Sequence, residues 1–283
     1  MVKHEFGGDW TELKLQVLEK YLKPFTQALG SKFTLHYCDA FAGTGSRSTK
    51  HDDSQASLIP IEDMKGSVQI ALKTDGFDHY HFNDINPEHC LALNEIRDNN
   101  PSKSINVSCM DANEFVLKFC KKLNRYDRAV LFIDPYATEL KWETLKAIAN
   151  TGKIDLWLLF PFSSFSRLIP KKGANPQWER KITSMLGDTN WKARAYRKPE
   201  APITPDLFGG ETEPPEERID QEGLQHYITE RLSEIFSYTS QPLPLYNSRG
   251  STLFLLYFSV SNRHGKAIAL AKRISTSILN KSR

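Results

Sequence analysis

The sequence predicts an α/β protein with a doubly wound, Rossmann-like sheet, an antiparallel last strand, and a helical and loop insertion. Three observations carry that expectation. Runs rich in β-branched and aromatic residues alternate with amphipathic stretches at the length of βαβ units. Successive strand-like runs close on Asp39, Asp84, Asp111 and Asp134, and the first leads at once into a turn holding Phe41, Gly43 and Gly45. Ligands of open α/β sheets bind outside the carboxyl ends of the strands, so these aspartates line a candidate crevice. Finally, strand-like residues 243–246 and 252–259 are separated only by the turn 247–250, which makes them an antiparallel pair.

The elements follow in order. Leu13, Val17, Leu18, Tyr21 and Leu22 recur at helical spacing behind a cap at Asp9 or Thr11, which predicts a helix over 9–23. Strand 34–39 delivers Asp39. Residues 46–65 are polar and aperiodic and read as a long loop, a length typical of lids and mobile segments. A helix over 67–73, a strand over 79–84, a helix over 87–99, a strand over 105–111 and a helix over 114–123 continue the alternation. Residues 129–134 form a continuous apolar run ending in a carboxylate, as a buried parallel strand should. A helix over 142–150 and a strand over 155–160 follow. The alternation lapses over 163–216, which reads as an insertion with one helix near 178–186 and a loop rich in Pro and Glu. A helix over 217–236, the antiparallel pair and a closing helix over 266–279 complete a single domain of 283 residues.

Composition narrows the class. A hydrophobic share of 40% and a charged share of 25% describe an ordinary globular chain, and its longest apolar runs are far too short to span a bilayer. The first residues lack the apolar core of a signal peptide. Cys38, Cys90, Cys109 and Cys120 lie far apart without C-x-x-C spacing, so they read as buried thiols of a cytoplasmic protein, with no zinc site and no disulfide framework. His36, His79, His81 and His89 show no metal-ligand spacing, so no metal is expected. A net charge of +3 does not announce nucleic acid, yet charge is segregated. Basic clusters at Lys118–Arg128, Lys192–Lys198 and Arg263–Arg283 stand against an acidic stretch over 206–222. Such clusters fit a phosphate-binding face, or equally the solvated faces of ordinary helices.

The turn has the spacing D-x-F-x-G-x-G, which differs from the dinucleotide fingerprint, and no Gly-Lys-Ser/Thr closes it as a P-loop would. It resembles the first motif of S-adenosylmethionine (SAM) dependent methyltransferases, in particular those that methylate exocyclic amino groups of nucleobases. The resemblance implies SAM as cofactor. Gly43 and Gly45 would form the turn against the methionine moiety, with Asp39 beneath and Phe41 alongside; Asp84, followed by Ile85, would hold the ribose; Asp111 and Ala112 would flank the adenine. Two alternatives stay open: Asp84 as cap of the helix at Pro87, and Asp111 as cap of the next helix. Asp134, Pro135 and Tyr136 resemble the Asn/Asp-Pro-Pro-Tyr/Phe motif of amino-group methyltransferases without its second proline. They are closer to the Asp-Pro-Phe-Gly of tRNA guanine-N2 methyltransferases. The motif implies that Asp134 accepts hydrogen bonds from the target amino group and that Tyr136 stacks on the base, unless Tyr136 simply covers the strand end.

Across nearly the whole chain, Trp10–Lys14, Asp39–Gly45, Leu131–Tyr136, Ile154–Pro161, Asp188–Trp191 and Asn247–Ser251 resemble the three-Cys-motif partner proteins (TcmP). These bacterial proteins have a methyltransferase-like fold and are named for a neighbouring gene product with a three-cysteine, radical-SAM-like motif. Ala137 stands where that family tends to have Gly, and Thr252 where it tends to have Pro. Trp10 and Lys14 share a helix face at i, i+4, so that either both point into the cleft or Trp10 docks on the core with Lys14 snorkelling past it. With Arg249 they are the candidate substrate-binding residues. The leading expectation is a SAM-dependent methyltransferase acting on an amino group in nucleic acid. The alternative is a SAM-binding adaptor of a three-cysteine-motif protein that transfers no methyl group.

Overall fold

The computed structural model describes residues 9–45, 66–170, 175–197 and 217–282. The expected loop over 46–65, and the parts of the insertion and acidic stretch over 171–174 and 198–216, lie outside the described residues. In chain order the first half comprises α1 (Asp9–Leu29), β1 (Thr34–Asp39), α2 (Ser67–Lys73), β2 (His79–Asp84), α3 (Pro87–Asp98), β3 (Ser104–Cys109), α4 (Ala112–Lys122) and β4 (Asp127–Ile133). Then come α5 (Trp142–Thr151), β5 (Ile154–Phe160), α6 (Phe162–Leu168), α7 (Pro176–Leu186), α8 (Trp191–Ala195), β6 (Tyr196–Arg197) and β7 (Glu217–Arg218). The chain closes with α9 (Gln221–Ile235), β8 (Tyr238–Thr239), β9 (Leu243–Tyr246), β10 (Thr252–Val260) and α10 (Gly265–Lys281).

The main sheet has the order β3-β2-β1-β4-β5-β10-β8, with β9 also paired to β10. Strands β1 to β5 are mutually parallel, and β10 runs antiparallel to β5. This is the doubly wound sheet with a reversed last strand that the sequence predicts. The apolar content of β4 and β5 follows from burial on both faces. One core sets residues of α4, α5, α7 and α9 against the sheet, and the other uses α1, α2 and α10. The register puts Asp39 beside Phe82 of β2 and Phe132 of β4, so the carboxyl ends of the central strands form one edge.

Several expectations need correction. Helix α1 runs on through Pro24 to Leu29 instead of ending at 23. Proline costs a helix one hydrogen bond, and burial of Leu22 and Phe25 against the second core outweighs it here. Among the described residues the insertion holds three helices, α6 to α8, where one was expected; α6 has seven residues and α8 five, too short to show a period. Helix α9 starts at Gln221, where Asp220 accepts from the Gly223 amide at 2.7 Å, and residues 217–218 instead pair with β6. The cysteines are not four free thiols. Cys90 and Cys109 form a disulfide with their Cα atoms 5.9 Å apart, because α3 folds back over the end of β3; Cys38 and Cys120 remain free. No helix is long and apolar enough to cross a membrane among the described residues.

Candidate active site

Asp39 ends β1 completely buried. Its carboxylate accepts from the Phe41 amide at 3.1 Å and from the Ser67 hydroxyl of α2 at 2.6 Å. Burial pushes its pKa up to about 7; those two hydrogen bonds act against the shift, Asp134 adds to it and Lys14 opposes it. Beyond Asp39 the chain turns sharply. Gly43 and Gly45 both have positive φ, of 60° and 74°, a region where a Cβ is disfavoured. Their surroundings differ. A Cβ on Gly45 would lie 2.5 Å from Ile96 Cδ1, whereas one on Gly43 would meet nothing within 4 Å. Gly45 therefore closes the turn against α3, while Gly43 borders open space. Phe41 is half-buried against the first core.

Asp84 ends β2 and is 2% exposed. Its Oδ2 accepts from the Gly43 amide at 2.9 Å, its Oδ1 from the Asn86 amide at 2.8 Å, and His89 Nδ1 lies 3.2 Å from Oδ1. A carboxylate offers about four lone-pair sites; the two amides take two and His89 faces a third, so capacity remains for a hydroxyl donor. The helix at Pro87 is capped by Asn86, which accepts from the Glu88 amide, and not by Asp84. Asp111 is the opposite case. It is the N-cap of α4, its Oδ1 accepting from the Asn113 and Glu114 amides at 2.9 and 3.1 Å. Ala112 is buried just behind it, and Ile85 projects from the edge 68% exposed. Sequence reasoning missed Asn83. It is fully buried, and its Nδ2 donates to the Ala40 and Met110 carbonyls at 3.1 and 3.0 Å, which ties together the ends of β1, β2 and β3. The only signal was its position next to Asp84.

Asp134 follows β4, and its Oδ2 meets the ammonium of Lys14, which is 8% exposed. Lys14 Nζ also lies 5.1 Å from the centre of the Trp10 ring, and Trp10 stacks on Phe254 of β10 at 4.9 Å. The two alternatives for this helix face are therefore combined: Trp10 docks on the sheet, and Lys14 reaches the candidate catalytic carboxylate instead of solvent. Tyr136, carried past Pro135, is 66% exposed. Its hydroxyl pKa is raised by burial first, then by Asp84, Asp134, Glu139 and Asp39. The Asn247–Ser251 turn precedes β10, whose Leu255 pairs with Phe160 at the end of β5, so Arg249 lies toward the same edge. Among the described residues no ion pair links it to these carboxylates.

Three other histidines gather elsewhere. His36 stacks on His79 and His81 at 4.9 and 5.3 Å, beside Phe119 of α4. Burial holds His81 down to about 3, so that it stays neutral. No group of His, Cys, Asp or Glu is arranged to hold a metal ion among the described residues.

The crevice thus combines a glycine turn, three strand-end carboxylates and an exposed aromatic at one sheet edge. No protein-family model and no curated protein matches the chain. Among solved structures it is similar to the Legionella pneumophila protein LPL1258, of the family model DUF519, with 13% identity over 97% of this chain and 94% of that one, at a TM-score of 0.50. It also matches spermidine synthase from Thermotoga maritima with 11% identity over 93% of this chain and 62% of that one, at a TM-score of 0.40. A third match is a SAM-dependent methyltransferase from Clostridium acetobutylicum, with 10% identity over 86% of this chain and 91% of that one, at 0.36. The Legionella likeness shows a shared fold.

Proposed function

We propose that this chain binds SAM at the carboxyl edge of its sheet and transfers the methyl group to an exocyclic amino group, with a nucleic-acid base as substrate. The observation that carries this reading is the placement of Asp134. It stands one strand away from Asp39 and the glycine turn, partly open to solvent, with Tyr136 beside it. The methionine moiety would lie along Gly43, where the turn borders open space, and the ribose against the remaining lone-pair capacity of Asp84. The SAM sulfonium already activates the methyl group, so the protein has only to position the nucleophile and exclude water. Asp134 would accept from the amino group and aim its lone pair at the methyl carbon.

The nucleic-acid part rests on charge. Lys118, Lys121 and Lys122 sit on α4, and Lys272 and Arg273 on α10. If they contact phosphates, RNA or DNA binding falls linearly in a log–log salt titration.

One observation favours the adaptor reading, in which the chain is a TcmP-type, cytoplasmic, SAM-binding partner of a three-cysteine-motif protein. Lys14 already occupies Asp134 Oδ2, the atom a target amino group would use. The deciding experiment is transfer of labelled methyl from SAM to bacterial RNA, DNA and protein, with and without such a partner. Asp134→Asn should lower turnover about a hundredfold, or about 2.7 kcal/mol of barrier, while leaving S-adenosylhomocysteine affinity within threefold. Equal labelling by both forms removes Asp134 from the mechanism, and labelling by neither favours the adaptor.

A further inference from the structure

The opposite edge of the sheet holds a second cavity, of about 490 Å3, between α1, α10 and the starts of β4 and β5. That size suits a small-molecule ligand. Its walls differ sharply from one another. Phe25, Leu29, Phe33, Leu270 and Ile274 supply an apolar, partly aromatic surface. At its inner end stands Asp155, which accepts from the Tyr21 hydroxyl at 2.6 Å. Around the rim are Lys32, Arg128, Lys153 and Lys266.

These cations are differently committed. Arg128 lies 4.0 Å over the Phe33 ring and donates to the Asp127 carbonyl at 2.6 Å, and Lys153 donates to the Leu123 carbonyl at 3.2 Å. The ammonium groups of Lys32 and Lys266 make no ion pair or hydrogen bond among the described residues, and both residues are exposed. Helix α10 begins at the same rim, and its N-cap His264 makes no side-chain capping bond, so the positive end of a 17-residue helix also faces this mouth. Arg128 and Lys266 come from two basic clusters that are far apart in sequence. The fold converges them on one chamber.

We propose that this cavity is a second binding site, for an aromatic anion that carries a hydrogen-bond donor, the chemistry of a nucleoside monophosphate. The flat ring would pack between Phe25, Phe33 and Ile274, a ring amino group would donate to Asp155, and the phosphate would sit between Lys32, Lys266 and the start of α10. A simple anion would leave the apolar walls wet, and an apolar ligand would leave the cations unused. Each wall selects one part of such a molecule.

The test is calorimetry of the full chain with adenosine 5′-monophosphate, phenyl phosphate and inorganic phosphate, each with and without saturating S-adenosylhomocysteine. Adenosine monophosphate should bind at least tenfold more tightly than either of the others and regardless of S-adenosylhomocysteine. The double variant Lys32→Glu/Lys266→Glu, at exposed positions, should weaken it tenfold or more and leave the thermal midpoint unchanged. Ala267→Phe, which fills the chamber from α10, should weaken it likewise. Equal affinity for all three probes, unaltered binding in the variants, or competition with S-adenosylhomocysteine would each overturn the proposal.

Discussion

The ammonium of Lys14 rests against Oδ2 of Asp134, joining α1 to the end of β4 across 120 positions of sequence. The side chains are 9% and 24% accessible, so solvent screens the pair only in part. Lys14→Met leaves a poorly solvated carboxylate without its counterion and should lower stability by about 1–3 kcal/mol. It should also lower methyl transfer tenfold or more while S-adenosylhomocysteine affinity stays within threefold. Denaturant melts and a labelled-methyl assay measure the two effects separately. Unchanged turnover would make the pair a purely structural brace.

Asp84 is expected to act twice. It fixes the Gly43 and Asn86 amides and would hold the ribose hydroxyls. Asp84→Asn replaces one acceptor oxygen by a donor facing an amide hydrogen. S-adenosylhomocysteine binding should weaken by about 2 kcal/mol or more, and the melting temperature should fall in the ligand-free protein too. Calorimetry and thermal melts together check this, and a melt unaffected by the substitution would contradict the bracing role.

The two glycines separate packing from ligand access. Gly45→Ala pays for a positive φ and collides with Ile96, so stability should fall by about 1–3 kcal/mol. Gly43→Ala carries only the conformational term, about 1 kcal/mol, but places a methyl group in the open space of the crevice. Its larger effect should be a tenfold or greater loss of S-adenosylhomocysteine affinity. Chemical denaturation and calorimetry on both variants give the comparison, and the reverse order of effects would place the ligand elsewhere.

Asp39 makes stability depend on pH. Its folded-state pKa of about 7 lies above the usual value of 3.8, so the folded protein holds a proton that the unfolded chain releases. Its stabilising contribution is complete below about pH 4 and is lost as pH rises through 7. Asp155, raised to about 6, acts in the same direction, while His81, lowered to about 3, acts oppositely below pH 6.5. The difference between wild type and Asp39→Asn isolates the first term. Thermal melts from pH 5 to 8 should show the wild-type midpoint falling more steeply than that of the variant, and parallel curves would refute the assignment.

Much of this was legible in the sequence because strands and their ends are local features. The apolar runs closing on Asp39, Asp84 and Asp134 set where the carboxylates leave the sheet, since a parallel strand buried on both faces has few other places for a charge. The Gly43 and Gly45 pair was equally legible, because a positive φ is written in residue type. Elements α6, α8 and β8 were not, being too short for periodicity to show.

Composition, strand order along the chain and the turn chemistry were determined by the sequence alone, through propensities that act over a few residues. Tertiary structure decided what depends on distant segments meeting. It stitched three strands through Asn83 and paired Cys90 with Cys109. It also aimed Lys14 at Asp134 and drew Arg128 and Lys266 to one chamber. The physical reason is burial. Desolvation penalises an unpaired polar group wherever the fold encloses it, and which partner arrives is settled only when helices and sheet pack together.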